Sequence, residues 1–162
     1  MEKRILFVLA LILGIGASGN AFALNCIESQ GVGKSDSCYT AVRLAADETT
    51  LVSQGMILVY DVSEGTANGF AYQAELSDAS ADQNLVAGVA QGSIASGNQA
   101  FVAVRGQAKV RLKGAVASGE SLYVSATEGK AGTVGSSGSR QIGFALQNGT
   151  DGQVIDAYLT IV

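Results

Sequence analysis

Histidine is absent from this chain of 162 residues, and so is proline. Losing histidine removes the side chain that most often acts as a general base near neutral pH, and with it the commonest metal ligand. Losing proline leaves glycine and asparagine to turn the chain, and glycine is abundant, at 21 residues. Cysteine is limited to Cys26 and Cys38. A metal pair built on them has no histidine to complete it. No acidic residue stands between Asp82 and Glu120. No long stretch of helical period occurs after the first two dozen residues, which excludes a helical bundle. The one long apolar run, residues 5–17, is too short to cross a bilayer, which takes about 20 apolar residues.

That run belongs to a recognisable leader. Glu2-Lys3-Arg4 is a short charged start, the apolar segment follows, and Ala21-Phe22-Ala23 is a small-x-small cleavage site. The order is that of a secretory signal peptide over residues 1–23. Leu24 and Asn25 do not form the small-residue box that lipid attachment at Cys26 requires. The expectation is therefore an exported chain, periplasmic or extracellular, with no stable membrane anchor after cleavage. Cleavage removes Glu2, Lys3 and Arg4, so ten basic and fourteen acidic residues become eight and thirteen. An acidic exported domain does not bind nucleic acid directly. In an oxidising compartment Cys26 and Cys38 most simply pair. In the chain-entropy model a loop that short is worth about 3 kcal/mol.

Residues 24–50 are polar and Gly-rich with little periodicity, and read as an extended arm stapled by the disulfide. Within them, residues 41–46 fit either a helical turn or a first strand. The domain proper spans residues 51–162. Met56-Ile-Leu-Val-Tyr60 is a continuous apolar run fit for a buried strand. Residues 70–76 and 85–90 follow as strands, the latter interrupted by Gly88. The centre of the chain is residues 99–124. There Ala108, Val110 and Leu112 alternate with Lys109, Arg111 and Lys113, the signature of a half-buried strand, and Gly106 marks a reversal or bulge. Residues 125–139 are a low-complexity loop. Residues 141–146 and 154–162 close the chain as strands, with Asn148-Gly149 and Asp151-Gly152 between them. The fold class is all-β: a small sandwich or barrel of short strands with Gly-rich turns behind an extended N-terminal arm.

Chemistry-bearing motifs are few. Gly31-Val-Gly-Lys-Ser35 imitates a phosphate loop, but Glu28 stands where the motif needs its first glycine, and the flanks offer neither strand nor helix. Asp47-Glu48, and Asp78 with Asp82, read as solvated charge in loops. No cofactor or metal is implied, and the chain is expected not to be an enzyme. The one electrostatic feature that stands out is the cation row Arg105, Lys109, Arg111 and Lys113, half of the basic residues left after cleavage. It serves either as a solvated strand face protected from edge pairing or as a docking surface for an acidic partner.

Several elements together resemble a family. Gly88-Val-Ala, the Val104-Arg-Gly turn, Ala115-Val-Ala-Ser-Gly-Glu-Ser-Leu-Tyr-Val124, Gly129-Lys130, Ile142-Gly-Phe-Ala-Leu146 and the closing strand are similar to the phage capsid cement, or head decoration, proteins. Glu120 stands where an aspartate is more usual. The resemblance implies a homotrimer of β-sandwiches or barrels that binds a capsid or other repetitive protein lattice at the virion surface, without catalysis. The leader and the disulfide depart from that pattern, because a virion protein assembled in the cytoplasm needs neither. The alternative is a secreted β-rich binding module, adhesin-like or from a matrix, that recognises a cell surface or a glycan.

Overall fold

The computed structural model describes residues 25–27, 37–61, 73–78, 85–133 and 139–161. The expected leader and the Gly31 to Ser35 motif lie outside the described residues. Among those described there are ten strands and no helix. The strands are β1 (Asn25–Ile27), β2 (Ser37–Arg43), β3 (Ile57–Asp61), β4 (Gln73–Leu76), β5 (Val86–Ala90), β6 (Gln99–Arg111), β7 (Ser121–Val124), β8 (Ala131–Gly132), β9 (Gln141–Ala145) and β10 (Val154–Thr160). They form one antiparallel sheet in the order β4-β3-β5-β6-β10-β9-β7-β8, with β2 also on β6 and β1 on β2. The sheet curls into a half-barrel, so the all-β expectation holds in its barrel-like form.

Three local readings change. Within residues 24–50, Ser37–Arg43 is a sheet strand in register with the first half of β6, so that of the two readings of residues 41–46 the strand holds over residues 41–43. Its buried positions are Cys38, Thr40 and Val42, a period of two written partly in small and polar residues that conceal it. Gly106 does not separate two strands. With φ +87 it lets a single strand of 13 residues change direction. The low-complexity segment contributes β8, two residues long, too short to carry a pattern.

The register reveals an internal duplication. β2 pairs with the start of β6 (Val42↔Ala100, Thr40↔Val102) as the end of β6 pairs with β10 (Val110↔Ile155, Ala108↔Ala157). β3 meets β5 at Leu58↔Gly88 and then shifts register, while β7 meets β9 at Leu122↔Gly143 and does the same. Ala90↔Val102 is matched by Ala145↔Ala157. Each unit curls back through an isolated parallel bridge, Leu44↔Ala74 in one and Leu112↔Ala131 in the other. Each also has an antiparallel bridge in front of a glycine turn, Val52↔Ile94 and Val116↔Gly149. β6 is shared: its first half closes the first unit and its second half opens the next. The sequence echoes this in Val42-Arg43-Leu44 with Val110-Arg111-Leu112, and in the Val-x-x-Gly-x-x-Leu spacing of Val52, Gly55 and Leu58 with Val116, Gly119 and Leu122.

The core follows the duplication. Val42, Leu44, Val52, Leu58, Ala74 and Val102 fill the first unit. Val110, Leu112, Val116, Leu122, Ala131 and Ala157 fill the second, in a cluster that runs on through Ile57, Val89 and Ala103 at the seam. The closing strand behaves as its alternation predicts: Ile155, Ala157 and Leu159 are fully buried.

Candidate docking surface

Alternation sends the side chains of Arg105, Lys109, Arg111 and Lys113 away from the interior of the second unit, but the four do not act alike. Lys109 stands opposite Asp156 on β10, and its ammonium lies 2.9 Å from that carboxylate. Arg111 is half-buried. Its Nη2 donates to Ser53 Oγ at 3.0 Å, and its Nε is buried without a hydrogen-bond partner. Arg105 and Lys113 remain exposed. Lys113 lies near Asp151, whose carboxylate accepts from the backbone N–H of Gly114 (3.2 Å) and lies 3.4 Å from the Lys130 ammonium. The Gly114 hydrogen bond first, then Lys130 and Lys113, hold the Asp151 carboxyl below its ordinary value against the opposing effect of desolvation. A row of four in sequence is therefore two exposed cations flanking two that are engaged.

The engaged pair marks a seam. One edge of β6 beyond Gly106 is taken by β10. The opposite edge is met by the first unit. There Lys109 N–H donates to Gln91 Oε1 (2.9 Å), Gln91 Nε2 donates to the Lys109 carbonyl (3.2 Å), and Arg111 N–H donates to the Gly55 carbonyl (2.8 Å). Gln91 thus supplies with one side-chain amide the pair of bonds a neighbouring strand would make. The seam is not legible in the sequence, because neither Gln91 nor Gly55 stands out without the register.

Arg105 also lines a cavity of about 460 Å³ with mainly apolar walls, among them Val86, Val104 and Ile161, to which Thr40, Tyr60 and Arg140 add polar groups. Burial pushes the Tyr60 phenol up, and its hydrogen bond with Thr40 partly offsets that. Cys38 faces the same cavity. Its cross-strand neighbour on β1 is Cys26. Asp47 is exposed. Glu48 instead accepts through both carboxylate oxygens, from the backbone N–H groups of Thr50 and Leu76, tying a turn to β4. Asp78 is exposed, and Asp82 lies outside the described residues.

No family model matches the chain, and no curated protein matches it. Among solved structures it is similar to the N base of head fiber gp8.5 of bacteriophage phi29, with a TM-score of 0.52 and 13% sequence identity. The match covers 75% of this chain and 94% of that one. At that identity the likeness is one of fold: the curled half-barrel of short antiparallel strands is an architecture the two chains share.

Proposed function

We propose that this chain is a non-enzymatic structural protein of a phage particle. The observation that carries the reading is the fold shared with a phage head fiber base over nearly the whole of that base. The finer reading is a decoration or cement protein, a homotrimer seated on a capsid or similar repetitive lattice. It draws on the turn glycines and alternating apolar residues that resemble the cement family. In this reading the exported, oxidised form carries a Cys26–Cys38 disulfide, and the exposed cations Arg105 and Lys113 form part of the contact with an acidic partner surface.

An antibody raised against the protein tests the reading on phage particles purified by density gradient from the source strain. Label that bands with the particles is expected. Protein found only in the secreted or cell-surface fraction overturns it and favours the secreted binding module. On particles, Arg105→Gln with Lys113→Gln is expected to leave the fold intact and to weaken binding more at low salt than at high salt. Each exposed charge pair contributes only ~0.2–1 kcal/mol and is screened by ions.

A further inference from the structure

Inside the chain, the first unit docks on the second through a defined pair of surfaces. One side is the turn 53–56 with the end of β5: Gly55, Val89 and Gln91. The other is the edge of β6 at Lys109 and Arg111 that β10 does not pair, with the adjoining strand β10. The approach is close, since a Cβ at Gly55 would lie 2.7 Å from the Arg111 backbone nitrogen and 3.2 Å from Val154 Cγ1. Val89 is completely buried there.

Because the unit is repeated, each surface has a counterpart that the described residues leave uncovered. The register sets Gly119 at the place of Gly55, and Phe144 and Leu146 at the places of Val89 and Gln91. At the other end Ala41 and Arg43 occupy the places of Lys109 and Arg111, and Phe101 that of Asp156. The end surfaces are more apolar than the surfaces they echo. The ion pair Lys109–Asp156 becomes the cross-strand pair Ala41–Phe101, and the Gln91 amide becomes a leucine. Phe101 is 60% exposed, Phe144 41% and Leu146 46%. These are three of the five large hydrophobic side chains exposed among the described residues; Leu51 and Leu85 lie elsewhere. Terminal repeats that end a soluble array present polar outer faces, and this molecule presents phenylalanine at both. The internal contact sets Arg111 against Ser53 of the turn 53–56; the equivalent contact sets Arg43, whose Nε donates to the Gly97 carbonyl, against the turn 117–120, where the Glu120 carboxylate accepts from the Ala117 N–H.

We propose that a second copy of this chain covers these surfaces. The Gly119, Phe144 and Leu146 end of one copy docks on the Ala41, Arg43 and Phe101 end of the next, continuing between chains the contact that joins the two units within one. Such an interface is heterologous, so it closes into a ring or extends into a fibre. It is independent of the phage reading.

Sedimentation equilibrium of the purified protein over a dilution series tests it, with Phe101→Glu disabling one end and Phe144→Glu with Leu146→Glu the other. Wild-type protein is expected to self-associate. Either variant is expected to weaken association roughly tenfold or more while keeping the wild-type circular dichroism spectrum. Mixed in equal amounts, the two variants are expected to form one-to-one dimers and nothing larger, because each retains the end the other lacks. Should a glutamate variant misfold, Phe101→Ser and Phe144→Ser give the same comparison. A wild-type protein that stays monomeric, assemblies that survive both variants, or a mixture without dimers would overturn the proposal.

Discussion

Gly143 sits where a side chain has no room. A Cβ there would lie 2.0 Å from the Tyr158 carbonyl oxygen on β10, and the backbone runs at φ +157. Its counterpart Gly88 is nearly as tight, with 2.5 Å to Val102 Cγ2. In both units this glycine sits at the register shift between two strands, so that the neighbouring strand can press close. Gly143→Ala is expected to destabilise the protein by about 3 kcal/mol, at the upper end of what overpacking costs. Gly92→Ala, with nothing within 4 Å of the added methyl, is expected to stay within about 0.5 kcal/mol of wild type. Urea midpoints for the two variants check this, and equal midpoints would contradict the steric account.

Among the strands, those with a strong apolar period were legible and those defined by their partners were not. β3 and β10 show in the chain as runs of Ile, Leu, Val and Tyr. β2 buries Cys38 and Thr40, which look polar in sequence, and β8 is an alanine and a glycine. The duplication was hidden for the same reason: what repeats is register and glycine position, and the core residues between them vary in size, as Ala87 against Ile142 does. The cation row was visible, but its partners Asp156 and Ser53 lie far away in the chain, so alternation alone could not tell an engaged cation from an exposed one. Gln91 belongs with what could not be read, since its role depends on a strand edge 18 residues away. Gln91→Leu, which copies Leu146 of the second unit, removes both bonds to Lys109. Leaving a partly buried backbone N–H and C=O unpaired is expected to cost ~1–3 kcal/mol. Chemical denaturation measures the loss, and an unchanged midpoint would mean that water replaces the amide at no cost.

Taken whole, the molecule is a duplication that does not come apart into two domains. Repeat proteins are governed by nearest-neighbour contacts, and weak contacts allow units to open one at a time. Here the units share more than a contact. β6 runs through both, pairing with β2 and β5 in the first and with β10 in the second. The Gln91 and Gly55 bonds then fasten the first unit to the far half of the same strand. One core cluster spans the seam from Ile57 and Val89 to Val110 and Ile155. Opening either unit alone would strip partners from β6 and expose that cluster. Unfolding is therefore expected to be a single cooperative transition, as for small single domains. Native-state hydrogen exchange resolves this by residue. The protected amides of Leu58 in the first unit and Leu122 in the second, equivalent positions at the two register shifts, should converge on one opening free energy as denaturant is added. Two separate isotherms, with one unit exchanging through a lower-energy opening, would show that the shared strand does not couple them.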